Sequence, residues 1–300
     1  MSTALVSSKE QEETLATEVV ALRREYVWLL LTQTQTLFEQ FDQLLRDCCR
    51  SLPLPSKMSG YLRIAPNMGL QPEKLTLAGR SSDAVRCSLT VLGDNIVQAE
   101  VAVRYPKWPG QVFRSVAQPD VQWKLQQVQD VANHVVKALE LLAAAQQQVK
   151  HHLSEGQVAP QDTARLVDQL RLNISNARSA LLTPRKRSLV ELQEYRPNKC
   201  FNPPLPHDLL LSFYVSGNKL VCAAYHLQAQ VAGQKQTFHV YQGECTVAWL
   251  TDVLSNLGCA LQLAQQMTDK LTVFADCKQL QVTDRPTPVR DFSVDELVNV

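Results

Sequence analysis

QWKLQQVQDVANHVVKAL, residues 122–139, carries an uninterrupted run of apolar or neutral positions at helical spacing. Extended in both directions the run reads Val121, Leu125, Val128, Ala132, Val135, Leu139, Leu142, Gln146 and Val149, in steps that alternate four and three. That alternation keeps a narrow stripe on one face of an α-helix, the pattern of a bundle seam. A seam supplies packing rather than converging polar groups, so it predicts a framework before it predicts a reaction.

The same alternation recurs along the chain. A first helix is expected from Ser8, where Ser8 and Gln11 have capping-box spacing, to near Pro53. Its stripe runs Leu15, Val19, Leu22, Tyr26, Leu29, then slips by one residue to Leu30, Leu37, Phe41, Leu44 and Cys48, as a stutter would. About forty residues at 1.5 Å each would make a rod of roughly 60 Å that needs partners along its length. The helix containing residues 122–139 is expected to follow Pro119, with Asp120 as N-cap, and to run to about Leu153. Pro160 opens a third helix with the stripe Val167, Leu170, Ile174, Ala177 and Leu181, ended by Pro184, and Ser188 to Tyr195 could add a turn or two. A fourth carries Leu250, Val253, Leu257, Ala260, Ala264, Met267 and Leu271.

Between the helices the period changes to two. Lys74-Leu75-Thr76-Leu77 and Val97 to Val103 read as strands, with Gly93-Asp94-Asn95 as a hairpin turn. Asp208 to Val215, Lys219 to Gln230 and Gln234 to Tyr241 read as a three-stranded meander broken at Ser216-Gly217-Asn218 and Ala232-Gly233. Strands that fall between the first and second helices, and between the third and fourth, suit an up-down-up-down bundle with both strand blocks at one end. The expected fold is therefore α+β, an elongated two-domain protein built from noncontiguous segments. Residues 8–54, 119–184 and 244–272 form an antiparallel four-helix bundle, 56–118 and 200–243 an antiparallel β domain, and 276–300 a flexible tail.

Composition excludes several classes. Thirty basic and twenty-nine acidic residues among 300 leave a net charge of +1, without the basic stripe that nucleic-acid binding needs. The start, MSTALVSSKEQEE, has no leader pattern, and Val27 to Leu31 is far short of the roughly 20 residues of a bilayer span, so a soluble protein is expected. Eight cysteines without CxxC spacing suit reduced thiols. The sequon at Asn173-Ile174-Ser175 lies inside a helical pattern and is discarded.

No two glycines lie closer than Gly60 and Gly69, which rules out GxGxxG, GxxxxGK and GxSxG. The six histidines form no HExxH. Cys222 and His226 share a strand face but stand about 13 Å apart, too far for one ion, so packing is the better account. His151-His152 suits a helix C-terminal dipole. Core packing outweighs a reactive or lipid-modified role for Cys48-Cys49. Pro184-Arg185-Lys186-Arg187-Ser188 reads first as a solvated linker, with nuclear import or a phosphorylation-sensitive hinge as alternatives. Asp291 to Val300 reads as a tail rather than a docking peptide. A cryptic enzyme would need His226, His239 and Asp252 to converge, and nothing in their spacing favours that. No catalytic, cofactor-binding or metal residue is expected. Trp108, between Pro106 and Pro109, is a weak candidate for partner binding, because the other tryptophans, Trp28, Trp123 and Trp249, fall on expected helices.

Three segments resemble the Rogdi family of leucine-zipper-containing proteins, related to a subunit of the RAVE complex: QWKLQQVQDVANHV at 122–135, LPHDLLLSFYVSGNKLVCAAYHLQA at 205–229, and ECTVAWLTDVLSNLGCALQLAQQMTDKLTVF at 244–274. EYVWLL at 25–30 is similar to the family's EFRWLL-type start. The resemblance implies a helical bundle beside a β domain and a non-enzymatic adaptor of RAVE or rabconnectin-type complexes. Its implied partners are the WD-repeat-type subunits of such complexes and the cytosolic sector of the vacuolar proton pump (V-ATPase), whose assembly the adaptor promotes. Cytoplasmic residence is implied, peripherally at acidifying or synaptic vesicles through partners, with nuclear presence also attributed to the family and a role in the nervous system. After Phe274 the sequence departs from the family pattern. The competing expectation is a self-associating coiled-coil structural or nuclear regulatory protein. Three further seams in the same chain favour internal packing, hence a monomer outside the complex.

Overall fold

Seams at helical spacing and strands at period two both take the expected form in a computed structural model of the chain. It describes residues 2–53, 71–79, 84–104, 111–119, 123–154, 157–158, 160–194, 200–228, 237–276 and 287–288. The helices are α1 (Ser2–Trp28), α2 (Thr34–Ser51), α3 (Gln126–Ser154), α4 (Pro160–Leu182), α5 (Leu189–Glu194) and α6 (Ala248–Asp276). The slip expected at Leu29 and Leu30 is a π-helical turn, Leu29–Gln33, which joins α1 to α2 without ending the rod. The Leu29 carbonyl accepts the Thr34 N–H, the bond of the wider turn, and also the Oγ1 hydroxyl of buried Thr34 at 3.2 Å.

Seams differ in how far they are buried. Val167, Leu170, Ile174, Ala177 and Leu181 of α4 are all buried, as are all seven expected positions of α6. In α3 the residues from Leu125 to Leu142 are buried as expected, but Val131, Val136, Ala138 and Ala145 are buried too. The stripe is therefore wider than a two-position seam, as on a helix that packs a broad face into a core. Gln146 and Val149 are only half-buried. α1 departs most. Leu15 is 48% exposed, and from residue 13 onward the first buried side chain is Tyr26. Beyond the π turn the buried positions are Leu37, Phe38, Phe41, Leu45, Cys48 and Cys49, with Leu45 taking the place expected of Leu44.

The start of α3 also differs. Trp123–Lys124 is not helical but a short strand, β5, paired with the start of the strand Asn95–Arg104 (Asn95↔Lys124, Ile96↔Trp123), so the helix begins only at Gln126. Asp120, the expected N-cap, lies outside the described residues.

The remaining strands are β1 (Glu73–Ala78), β2 (Val85–Leu92), β3 (Asn95–Arg104), β4 (Val112–Ala117), β6 (Gln157–Val158), β7 (Phe201–Asn202), β8 (Leu209–Ser216), β9 (Lys219–Leu227), β10 (Phe238–Thr246) and β11 (Thr287–Pro288). One antiparallel sheet has the order β7-β4-β3-β2-β1-β10-β9-β8, with β5 attached to β3, so the two strand blocks do merge. The β2–β3 turn places Gly93 at φ 63°, and the β8–β9 turn places Gly217 at φ 65°, a region costly for residues with a Cβ. The blocks meet where Ala78 of β1 lies opposite Glu244 of β10. A Cβ on neighbouring Gly243 would come within 3.3 Å of the Val85 carbonyl oxygen, so glycine permits that close approach. β11 pairs with β6; apart from Asp276 and that strand, the expected tail lies outside the described residues.

Two compact units divide the chain, one of residues 1–46, 137–175 and 258–300, the other of 47–136 and 176–257. The first holds portions of the long helices. Within it, the rings of Tyr26 and Phe274 stack at 4.9 Å, and Lys270 Nζ donates to Gln33 Oε1 at 2.9 Å. The second holds the nine-stranded sheet, α5 and the adjoining turns of the other helices. Among the described residues no helix is long and apolar enough to cross a membrane.

Candidate functional site

Gln127, the last glutamine of QWKLQQ, is buried, and its side-chain amide is the polar centre of the sheet-bearing unit. Nε2 donates to the carbonyls of Ala180 at 2.9 Å, Thr183 at 3.1 Å and Val215 at 2.9 Å, so at least one of its hydrogens is shared. Oε1 accepts the Val215 N–H at 3.0 Å. The last carbonyls of α4 have no partner within the helix. Gln127 takes Ala180, and the Gly217 N–H takes Leu181 at 2.8 Å. One amide thus closes a helix end and fastens it to α3 and β8.

Around this node the chain forms a pocket of about 330 Å³ lined by residues of β5, α3, the 184–188 segment, α5 and β8. Trp123, Phe213 and Tyr214 line it, within a mostly polar surface. Trp123 lies 5.6 Å from Phe213, edge to face, and 5.5 Å from Phe201. Tyr214 is buried, and its hydroxyl accepts from Gln242 Nε2 at 2.9 Å. Burial, then the nearby Tyr225, Cys222 and Glu244, push that phenol up to about 12, so it stays a neutral hydroxyl.

Cations gather at the rim: Lys124, Arg185, Lys186 and Arg187. Lys124 pairs with Asp94 at 3.6 Å and Arg185 with Asp130 at 3.2 Å, while Lys186 Nζ stands 5.7 Å from the Tyr214 ring centroid. Below the basic run, α5 starts with a capping box. Ser188 donates its N–H and Oγ–H to Glu191 Oε2 at 2.7 and 2.9 Å, and the Glu191 N–H returns a bond to Ser188 Oγ at 3.3 Å. Those bonds, first the backbone one, hold the Glu191 carboxyl below its usual range, with Arg187 and Arg185 assisting. Leu192 then seats α5 on Leu210, Tyr214, Val221, Ala223 and Tyr225 of the sheet.

Other expected residues fall elsewhere. Trp108 lies outside the described residues. Trp28 and Trp249 are half-buried on helices, and Trp249 Nε1 donates to Glu73 Oε2 at 3.2 Å. Trp123 was expected on a helix and instead lines the pocket from a strand; the alternation around it, Gln122-Trp123-Lys124, is too short a signal for a two-residue strand. Cys48 and Cys49 are buried, and Cys48 Sγ lies 3.9 Å from the Val253 carbonyl. Burial foremost, with Cys49 and Asp47, raises the Cys48 thiol to about 12, which removes the thiolate a reactive cysteine needs. Cys222 is buried, and His226 Nε2 stands 3.6 Å from Asp208 Oδ2. His239 lies opposite His226 across the β9–β10 pairing, while Asp252 is exposed on α6. No group of three metal-capable side chains occurs among the described residues.

The Gln127 node sits in the stretch that carries the resemblance, and comparison with known proteins follows it. The family described as "Rogdi leucine zipper containing protein" matches residues 25–285, reaching past Phe274. A rogdi homolog of Caenorhabditis elegans is 37% identical over 256 residues, covering 83% of this chain and 87% of the relative. Protein rogdi of Drosophila melanogaster is 31% identical, with 94% and 97% covered, and the human rogdi homolog is 30% identical, with 87% and 94% covered. The chain belongs to the Rogdi family.

Proposed function

We propose that this chain is a non-enzymatic adaptor within a RAVE or rabconnectin-type complex and promotes assembly of the vacuolar proton pump, and with it vesicle acidification. Family membership carries the reading. Within it, the helical portions act as a four-helix bundle frame, and the pocket rim of Lys124, Arg185, Lys186 and Arg187 meets an acidic segment of a protein partner. Charge complementarity supports that placement, since four cations and three aromatic side chains line the same pocket of about 330 Å³. The protein is cytoplasmic in this reading and reaches acidifying vesicles, in neurons synaptic vesicles, through its partners.

Co-purification of the tagged full chain from cytosol, followed by mass spectrometry, tests the adaptor reading. Recovery of pump subunits together with a WD-repeat partner is the expected result; loss of both, while unrelated complexes survive, would sink it. Arg185→Glu with Arg187→Glu should abolish capture without altering the far-UV spectrum. Undiminished capture would move the contact away from the pocket.

One observation favours a second reading, self-association through α1: Leu15 and Val20 are 48% and 47% exposed. Sedimentation at micromolar concentration separates the two, because a zipper dimer doubles the mass.

A further inference from the structure

The adaptor reading makes no use of the hydroxyl on which the basic run ends. Residues 184–188 form neither helix nor strand, and Arg185, Lys186, Arg187 and Ser188 are all exposed. We propose that Ser188 is a phosphorylation site for a kinase that selects basic residues ahead of its serine, and that the phosphate dismantles the capping box that starts α5.

Recognition by such a kinase rests on charge pattern. Arg185 and Lys186 stand three and two residues before the serine, with apolar Leu189 directly after it. In the transfer, Ser188 Oγ attacks the γ-phosphorus of ATP. The new Oγ–P bond forms as the bond to the ADP oxygen breaks, and the hydroxyl proton passes to the kinase's carboxylate base. A kinase groove takes its substrate extended, and Leu189 is the first residue of α5. The capping box must therefore open before transfer, which makes its strength a brake on the reaction.

The product cannot rebuild the box. Ser188 Oγ loses the hydrogen it donates to Glu191 Oε2 at 2.9 Å. In its place stands a group of about −1.5 to −2 charges, held against a carboxylate. A phosphate at a helix start is favourable where no anion already occupies it. Here Glu191 does, and α5 has only six residues over which to sum a dipole. Among its side chains of described burial, Leu192 alone is buried. Once Glu191 is expelled, the turn relies on the Leu192 contact, and α5 frays from Leu210, Tyr214 and Tyr225. The phosphate also competes with Asp130 for Arg185, so the pocket rim loses positive charge as its cover loosens.

The experiment uses the full chain, ATP and the catalytic subunit of a cyclic-AMP-dependent kinase, read by peptide mass mapping. Phosphate should appear on Ser188 and vanish from that peptide in Ser188→Ala. Arg185→Gln with Lys186→Gln should slow the reaction about tenfold, and Glu191→Ala should accelerate it severalfold. Hydrogen exchange across residues 189–194 should rise about fivefold on phosphorylation. Phosphorylated Glu191→Gln, which lacks the opposing charge, should show a smaller rise. A chain that takes phosphate elsewhere and leaves Ser188 unmodified overturns the site. Phosphorylated Ser188 with unchanged or stronger protection of 189–194 overturns the mechanism. Neither readout involves pump or partner, so its failure is distinct from failure of the adaptor reading.

Discussion

The unit built from helical portions and the unit that contains the sheet hold together by different means. In the first, α4 and α6 present seams whose positions differ little in kind: Leu170, Ala264 and Met267 each fill part of a continuous apolar face. In the second, a single amide closes the end of α4, fixes β8 and anchors α3. Stability along a seam is distributed, so each truncation removes its own share. At a polar node it is concentrated, because removing one side chain leaves the buried N–H and carbonyl of Val215 unsatisfied together with the part-buried carbonyls of Ala180 and Thr183.

Gln127→Leu should break the comparison hardest. It strands the Val215 N–H and the carbonyls of Ala180 and Thr183, and should lower the unfolding free energy by about 4 kcal/mol in a urea titration. Leu170→Ala, at a fully buried seam position of α4 in the first unit, should cost about 3 kcal/mol by the same measurement. Equal or reversed costs would erase the distinction between node and seam.

Thiol accessibility sharpens it further. Exposed Cys259 should react with maleimide within minutes in the native chain, while Cys48, buried and with its thiol raised to about 12, should stay unlabelled until denaturant is added.

The capping box supplies a pH test. A carboxyl held below its ordinary value in the folded chain stabilises above the unfolded value and loses that contribution as pH falls through the folded one. Exchange protection of residues 189–194 should therefore be full at neutral pH and fall as pH drops below the usual carboxylate range, and Glu191→Gln should flatten the profile. The smallest effect belongs to Leu15→Ala, where an exposed seam residue should change stability by less than about 0.5 kcal/mol.

Much of the frame was legible from spacing. The seams of α4 and α6 are buried position for position, the turns at Gly93 and Gly217 fall where expected, and the strand blocks join into one sheet. Spacing failed where burial depends on neighbours rather than on period. Leu15 has the right phase and remains exposed, and Leu45, four residues after Phe41, is buried where Leu44, three after it, was expected, since steps of three and of four both keep to one helix face. The candidate site was nearly invisible. Gln127 is a polar residue beside the seam, which by pattern belongs on the solvent side. Its role appears only when residues 127, 180, 183 and 215 are brought together. Trp123 was hidden for a related reason, since two residues of strand carry no periodicity.

The π turn at Leu29–Gln33 also bears on how this chain can change length. A π turn is an α-helical turn with one residue too many. Losing one residue between 29 and 33 would restore ordinary α geometry there and leave the azimuth of both flanking faces as it stands. The same loss inside α2 or α4 would turn every following side chain by about 100°, carrying a buried stripe toward water. A single-residue deletion in that window should therefore be tolerated where the same deletion inside α2 is not, so the defect in the helix is also a point of slack.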